Sequence, residues 1–311
     1  MRIAGPGADC DSTGVVRPID SHVHLYPPEI NGDPSGWAAA NGERRWSELC
    51  TRLRRDGRPV QGFPSVDGLL RAMDGAGVER AVLLGWYWEN PGNCARQNRF
   101  YARCVGLHPD RLSGFASVHP AAGPAAILEE IRRSFGEGLV GLGELSPHSQ
   151  GFPITDPAWG GALELAAQLG LPVNLHVSDP EGRFHPGRVA TPLDDFLKIA
   201  RDFPRTNFIL AHWGGLLPLR FPEAATLPNL YYDTAASPLL HDAGIWRRFA
   251  ALAGQGKVLF GSDYPLNLYP AFGAEPEIGR LVSEAKASGL SDIELNALFR
   301  GNAEALLDLG R

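Results

Sequence analysis

The stretch "RPIDSHVHLYPP", residues 17–28, places two histidines one residue apart at the end of a short apolar run. Side chains at positions i and i+2 of a β-strand point the same way, so an extended segment would aim His22 and His24 at one point. Two converging imidazoles are a metal-ligand arrangement. The same pair could instead cap a strand, with one ring hydrogen-bonded and the other exposed, so the rest of the chain has to decide.

Seven further segments are apolar runs bounded by turn residues, which is the pattern of buried strands. Helix-compatible segments separate all the candidate strands, and this alternation predicts a parallel sheet of the α/β class. A count of eight favours a closed (β/α)8 TIM barrel over an open sheet. The candidate strands are VVRPIDSH (15–22), VERAVLLGW (78–86), RLSGFASVH (111–119), LVGLGELS (139–146), LPVNLHVS (171–178), TNFILAHW (206–213), NLYYDTA (229–235) and KVLFGSD (257–263).

Several intervening segments carry helix boundary signals. Thr155 and Thr191 stand where helices are expected to start, and Ser291 with Glu294 three residues later forms a capping-box pattern. Gly170 suits a helix end just before the fifth strand.

The longest spacing separates the first two candidate strands, and it predicts a long loop insertion, residues 25–64, over the barrel mouth. Trp37 and Trp46 indicate that this insertion packs on something. Residues 1–14, rich in Gly, Asp and Ser, predict a flexible N-terminal arm. The remaining residues, 15–311, are expected to form a single barrel domain.

Composition narrows the function. The net charge of −6 arises from 35 acidic and 29 basic residues without long runs, so no basic stripe is offered to nucleic acid or to a membrane surface. We therefore expect a small-molecule substrate, with homo-oligomer formation left open. The four cysteines contain no CxxC pair, and no signal-peptide core or membrane-length apolar run is present, which favours a cytoplasmic location.

In a barrel of this kind the chemistry lies at the carboxyl ends of the strands. Nearly every candidate strand delivers an ionisable side chain there, after apolar residues that predict burial. Burying a lone ionisable group is costly unless it is paired or metal-bound, so a repeated pattern predicts one shared site. The residues are His22, His24, His119, Glu144, His176, His212, Asp233 and Asp263.

Five motifs together resemble the amidohydrolase superfamily, in particular its amidohydrolase-2 branch of metal-dependent hydrolases and aminocarboxymuconate semialdehyde decarboxylase-like enzymes. They are "DSHVH" on strand one, "NLHVSDP" on strand five, "ILAHWGG" on strand six, "VLFGSDYP" on strand eight and the closing "FRGNAEALLDL". The resemblance spans about residues 17 to 309.

By that resemblance, His22, His24, His176 and Asp263 ligate one divalent metal, and His212 either faces the metal-bound water or takes a second metal. We expect Zn²⁺, with Mn²⁺ as the alternative, and one ion rather than two. Strand four has no lysine that could bridge two metals. Glu144 stands there instead, either as a bridging ligand or as a hydrogen-bonding partner of a ligand histidine.

Three functions follow as alternatives. The first is metal-dependent hydrolysis of a C–O or C–N bond in a small anionic cyclic or aromatic substrate, with Asp263 exchanging the proton and His212 polarising the carbonyl. The HxH motif, rather than the ExH of many decarboxylases in this branch, favours this reaction. The second is nonoxidative decarboxylation of an aromatic or muconate-type acid. The third is a barrel that binds metal or ligand without turnover.

The loops after the strands supply candidate substrate contacts. Trp86, Tyr87 and Trp88 could form an aromatic wall, although core packing is an equal alternative for at least one of them. Arg183, with His185 and Arg188, could clamp a carboxylate. Further candidates are His148 and Tyr264, whereas His119 could be structural and His241 is expected on the surface of a helix.

Overall fold

The computed structural model describes residues 16–309, so the predicted arm, residues 1–14, and Cys10 lie outside the described residues. Eight parallel strands follow one another around the sheet in chain order, which confirms the predicted (β/α)8 barrel. Their bounds are β1 Ile19–Val23, β2 Arg80–Leu83, β3 Leu112–Ala116, β4 Gly141–Leu145, β5 Val173–Leu175, β6 Phe208–Leu210, β7 Leu230–Asp233 and β8 Val258–Leu259.

Helices surround the sheet and connect its strands. They are α1 Pro28–Asn31, α2 Pro34–Asn41, α3 Arg44–Cys50, α4 Val66–Ala76, α5 Pro91–Leu107, α6 Pro124–Gly136, α7 Pro147–Gln150, α8 Pro157–Leu169, α9 Leu193–Asp202, α10 Leu217–Arg220, α11 Ser237–Leu240, α12 Ile245–Ala253, α13 Gly279–Lys286, α14 Asp292–Asn296 and α15 Asn302–Leu307. Short 3₁₀ turns span Pro120–Ala122, His212–Leu216, Pro222–Thr226 and Gln255–Lys257, and a π turn spans Ala297–Gly301. Among the described residues, no helix combines the length and apolar character that a membrane crossing requires.

Backbone hydrogen bonds close the barrel between β8 and β1. The amide of Ser21 donates to the carbonyl of Phe260 at 2.8 Å, and the amide of Asp263 donates to the carbonyl of His22 at 2.9 Å. The closure therefore holds the first and last strand ends, with their ionisable side chains, side by side.

The barrel interior is filled by apolar side chains, as in other TIM barrels. Phe115 occupies its centre together with Val82, Ile209 and Leu259. A Cβ at Gly141 would lie 2.4 Å from the Phe115 ring, so β4 passes the ring only because it has no side chain there. This packed layer supports the ionisable groups above it.

Two of the predicted helix boundaries are confirmed and two are wrong. Ser291 and Glu294 form the capping box, and Gly170 ends α8 in the left-handed conformation. Asp156, not Thr155, caps α8, because its carboxylate accepts from the amides of the first turn. The Thr191 hydroxyl instead accepts from the amide of Ser178, across the loop that follows β5.

The insertion, residues 25–64, is not the long loop that the sequence predicted, because it folds into α1, α2 and α3. Its aromatic side chains pack together on the barrel mouth. Trp46 is fully buried, and the Trp37 ring lies 5.4 Å from that of Trp88. The two tryptophans of the insertion thus pack against the segment after β2.

Glu43 fastens the insertion to that segment. It is fully buried, and its carboxylate accepts from the amides of Glu89 and Asn90 at 2.8 and 3.0 Å and from the Asn93 side chain at 2.7 Å. Burial raises the pKa of Glu43, whereas these three donors favour the ionised form.

We expect Glu43→Ala to lower the free energy of unfolding by about 1–3 kcal/mol, because it leaves buried donors without acceptors. Urea unfolding followed by fluorescence of the buried tryptophans measures the change. Glu48→Ala is the matched control, since Glu48 pairs with Arg44 on the surface of the same segment and such pairs contribute about 1 kcal/mol or less. Equal effects of the two substitutions would contradict the role given to Glu43.

Candidate metal centre and active site

His22 and His24 converge at the barrel mouth, with their Nε2 atoms 3.2 Å apart. The other nitrogen of each ring is occupied. His22 Nδ1 donates to Asp233 Oδ2 at 2.9 Å, and His24 Nδ1 donates to the carbonyl of Leu84 at 3.1 Å. When both rings are deprotonated at Nε2, the two Nε2 lone pairs are directed at the same point.

That arrangement fits a bound cation. Facing lone pairs repel one another unless a proton or a metal ion lies between them. Two nitrogens 3.2 Å apart, each about 2.1 Å from an ion, subtend an angle of roughly 100°, close to tetrahedral. The outer hydrogen bonds to Asp233 and Leu84 are also the kind that orient histidine ligands of metals.

Glu144 lies between this pair and a second pair of histidines. Its Oε2 is 3.6 Å from His24 Nε2 and 4.0 Å from His22 Nε2. Its Oε1 accepts from His176 Nδ1 at 2.9 Å and lies 3.4 Å from His212 Nε2. Two groups of potential ligands therefore share Glu144: His22 and His24 on one side, His176 and His212 on the other.

Asp263 completes the cluster from β8. Its Oδ1 lies 3.6 Å from His24 Nε2 and 3.9 Å from His22 Nε2, and its Oδ2 lies 3.9 Å from His212 Nδ1. Its backbone φ is +66°, a left-handed conformation that non-glycine residues seldom adopt outside functional sites. The structure thus brings the five predicted metal ligands and His212 into one cluster.

A left-handed turn positions His212. Residues 212–216 all have φ between 56° and 58°, which costs about 1–2 kcal/mol for each residue that is not glycine. A Cβ on Gly214 would lie 2.6 Å from the Tyr232 ring, so this position requires glycine. The turn leaves His212 Nδ1 donating to the carbonyl of Ala235 at 3.2 Å and His212 Nε2 facing Glu144.

Asp233, at the end of β7, links four strand ends. Its Oδ2 accepts from His22 Nδ1 and from Asn174 Nδ2, and its Oδ1 accepts from the amides of His212 and Ala235 at 3.1 and 3.0 Å. The side chain is fully buried. Burial opposes its ionisation, but charged His22 holds the pKa of Asp233 below its usual value.

The two first-strand histidines titrate in opposite directions without a metal. Burial opposes the charged form of His22, but the charge and hydrogen bond of Asp233 raise the pKa of His22 to about 10. Burial and charged His22 lower the pKa of His24 to about 3. A proton on His22 thus occupies the point where the two Nε2 atoms converge.

The inner carboxylates also differ. Burial raises the pKa of Asp263 to about 6. Burial opposes ionisation of Glu144 as well, but His176 and His212 hold the pKa of Glu144 well below its usual range. Burial opposes the charged form of His212, yet the hydrogen bond to Glu144 and the charge of Asp263 raise its pKa. Buried carboxylates beside imidazole nitrogens are a donor set that suits a divalent cation.

A cavity of about 250 Å³ lies above the cluster. Trp86 and Tyr87 line it, stacked on each other with ring centroids 4.4 Å apart. Trp88 instead packs in the aromatic cluster beneath the insertion, and its indole nitrogen donates to Gln97 at 2.6 Å. Arg183, His185 and Arg188 line the cavity from the β5–α9 loop, residues 176–192.

Two predicted substrate contacts lie elsewhere. His148 is outside the cavity wall, because α7 turns its ring toward α9, where it bonds Asp195 at 2.8 Å. Tyr264 is buried in the main core. Its backbone pairs with Val23 at the end of β1, and its side chain is absent from the cavity lining.

Two other histidines also have structural surroundings. His119 Nε2 donates to the carbonyl of Gln150 and His119 Nδ1 accepts from the amide of Ala121, which makes it a cap. His241 is not on a helix surface as predicted. It follows α11, is half-buried, and its Nε2 lies 3.4 Å from Asp179 Oδ2.

Sequence reasoning missed three long polar side chains of the insertion that line the cavity: Arg52, Arg54 and Gln61. The dense basic run "TRLRRDGR", residues 51–58, was the available signal. It also missed that Asp233 holds His22, although Asp233 was recognised at its strand end.

The fold and the histidine–carboxylate cluster at its mouth define a barrel enzyme of the amidohydrolase type. The family model described as amidohydrolase matches residues 19–309, so the chain belongs to that family. The predicted resemblance is therefore confirmed.

Three similar proteins narrow the chemistry. A 2-keto-4-carboxy-3-hexenedioate hydratase from a Sphingobium species is 28% identical over 66% of this chain and 68% of its own. A 6-methylsalicylic acid decarboxylase from Penicillium expansum is 27% identical over 79% and 84%. A 5-carboxyvanillate decarboxylase from Novosphingobium aromaticivorans, solved with manganese and a nitrobenzoic acid, superposes with a TM-score of 0.71 at 14% identity over 97% and 98%.

These similarities correct the predicted reaction. The two sequence relatives are a hydratase and a decarboxylase and neither is a hydrolase, so the expectation of C–O or C–N hydrolysis is wrong. The HxH motif misled because a converging histidine pair indicates a possible metal site and not the bond that is broken. What is confirmed is that the protein is an enzyme of the amidohydrolase superfamily.

We expect Asp233→Asn to weaken metal affinity by about 10–100-fold, because the amide no longer holds His22 in the tautomer that exposes Nε2. Metal retained after dialysis against graded chelator measures the effect. Asp202→Asn, which alters an exposed pair with Lys198, is the control and should not change retention. Unchanged retention in Asp233→Asn would contradict the positioning role.

Metal affinity should also depend on pH. Since the pKa of His22 is raised to about 10, the metal displaces a proton from that ring at neutral pH. The apparent affinity should therefore rise with pH, by about tenfold per unit between roughly pH 6.5 and 8.5. Titration of the metal-free protein with zinc in buffers of constant ionic strength tests this, and a flat profile would contradict it.

Proposed function

We propose that the protein is a metal-dependent nonoxidative decarboxylase of a small aromatic or conjugated acid. The observation that carries the proposal is the 27% identity with a decarboxylase over 79% of the chain. The cluster of His22, His24, Glu144 and Asp263 beneath an aromatic wall agrees with it.

The metal would be held by His22, His24, His176 and Asp263. Glu144 stands between the histidine pairs and would become the shared ligand if two ions bind. Nitrogen-rich ligands favour zinc, and manganese is the alternative that the Novosphingobium enzyme exemplifies. A bound divalent ion supplies a Lewis acid that polarises oxygens of the substrate.

The chain's own groups supply orientation and a proton. In decarboxylation the C–C bond to the carboxylate breaks, carbon dioxide leaves, and the bonding pair remains on carbon, which takes a proton. Asp263 and His212 both line the cavity floor beside the histidine cluster, so each lies where it can hold that proton. His212 Nε2 is aimed at the floor because its Nδ1 donates to Ala235.

Trp86 and Tyr87 would pack against a planar substrate and keep water from the reacting carbon. Arg183, at the cavity rim, would contact an anionic group of the substrate. The cytoplasmic location, the absence of a nucleic-acid or membrane partner and the possible homo-oligomer stay predictions from the sequence.

Hydration of a conjugated acid is the second candidate, because the Sphingobium hydratase is 28% identical to the chain. One experiment separates the two. Metal-loaded protein is incubated in deuterium oxide with hydroxybenzoates, muconate-type acids and unsaturated keto acids. Carbon dioxide with one deuterium on the former carboxylate carbon supports decarboxylation, whereas a product heavier by one water, without carbon dioxide, establishes hydration and overturns the first proposal.

In the same assay, His212→Asn should lower turnover by about a hundredfold or more, since it removes a proton carrier. Metal content should persist, because His22, His24, His176 and Asp263 remain. His148→Asn is the matched control, as His148 lies outside the cavity and bonds Asp195. Near-normal turnover in His212→Asn would remove His212 from the mechanism.

A further inference from the structure

Four guanidinium groups line the cavity that contains the metal cluster. Arg52 and Arg54 come from the insertion after α3, and Arg183 and Arg188 come from the β5–α9 loop. Two separate segments, the insertion and the β5–α9 loop, thus contribute positive charge to the same cavity. We call these four side chains the arginine wall.

The arginine wall has no carboxylate partners among the described residues. Arg52 donates to the carbonyl of Pro186 at 3.3 Å, Arg54 to that of Asn267 at 2.7 Å, and Arg188 to that of Asp179 at 2.6 Å. Each bond engages one of five N–H donors and a neutral acceptor. The backbone contacts therefore hold the side chains in place without balancing their charge.

None of the nearby acids forms an ion pair with the arginine wall. Asp56, the acid nearest to Arg54 in sequence, pairs with Arg58 at 2.5 Å. Asp179 Oδ1 accepts from the amide of Glu181, and its Oδ2 lies 3.4 Å from His241 Nε2. Glu144 and Asp263 belong to the histidine cluster at the cavity floor. The arginine wall consequently differs from the surface arginines of the insertion, such as Arg44, which pairs with Glu48 at 2.8 Å.

Arg54 also carries an unused buried donor. Its Nε has no hydrogen-bonding partner among the described residues, although the atom is shielded from solvent. An unpaired buried donor is costly, and an acceptor from a ligand would remove the cost. Burial lowers the pKa of both Arg52 and Arg54, in keeping with guanidinium groups partly withdrawn from water.

We propose that the arginine wall is a second anion site, and that the substrate is a dicarboxylic acid. One carboxylate, the reacting one, lies at the floor beside the histidine cluster, and the other is held by Arg54 with Arg52 and Arg188. This inference rests on the proposed function for the identity of the reacting carboxylate. The cavity, about 250 Å³, has room for a single ring or a short conjugated chain with two carboxylates.

Binding of inert acids tests the arginine wall without turnover. The probes are benzene-1,3- and benzene-1,4-dicarboxylate, each compared with its own monoamide, which has nearly the same shape and one charge less. Calorimetry on the metal-loaded protein at constant ionic strength should give at least one dicarboxylate about tenfold tighter binding than its monoamide, since a charge-assisted hydrogen bond contributes about 1.5–3 kcal/mol.

Arg54→Gln and Arg188→Gln should each abolish most of that preference while changing monoamide binding less than about twofold. Arg44→Gln, on the insertion but outside the cavity, should leave the preference intact. Thermal unfolding shows whether each variant is folded. Because Arg54 and Arg188 lie on different segments, one variant can still test the site if the other does not fold.

The second anion site would be overturned if each dicarboxylate and its monoamide bound with equal affinity. It would also be overturned if the arginine variants weakened the binding of dicarboxylate and monoamide by the same factor. That failure is distinguishable from failure of the proposed function. Carbon dioxide release from monocarboxylic acids with no preference for dicarboxylates would refute the arginine wall alone. Tight dicarboxylate binding without any turnover would refute the reaction alone.

Discussion

The geometry of the site depends on one buried carboxylate, that of Asp233. Its two oxygens accept four hydrogen bonds, from the His22 ring, the Asn174 side-chain amide and the backbone amides of His212 and Ala235. These donors lie on β1 and β5 and just after β6 and β7. Without it, His22 would be free to present either nitrogen, and the left-handed turn at His212 would lose its anchor. A group outside the cavity lining thus fixes the orientation of His22 and the turn that carries His212.

Unfavourable backbone conformations occur just after the strand ends whose side chains form the cavity floor. Asp263 and the turn at residues 212–216 adopt positive φ, and both are held by hydrogen bonds to neighbouring strand ends. The packed layer around Phe115 gives these bonds a rigid base. The packed barrel therefore stabilises this unfavourable backbone conformation. As a result, the directions of the Asp263 and His212 side chains are fixed.

The sequence predicted the barrel and the members of its inner cluster because both depend on short-range periodicity: apolar runs mark strands, and the residue at each strand end faces the mouth. It failed where direction depends on tertiary packing. His148 lies on α7 and is turned toward Asp195 of α9, and Tyr264 is buried in the main core although it is next to Asp263 in the chain. Arg52 and Arg54 resembled solvated loop arginines until the helices of the insertion placed them in the cavity.

Glu43 joins the insertion to the segment after β2 by three hydrogen bonds, and no strand of the barrel takes part in them. The floor of the cavity and the part of its rim that the insertion forms are therefore held by different sets of contacts. Substitutions in the insertion can thus reshape the cavity rim while the histidine–carboxylate cluster, fixed by the strand ends, keeps its geometry.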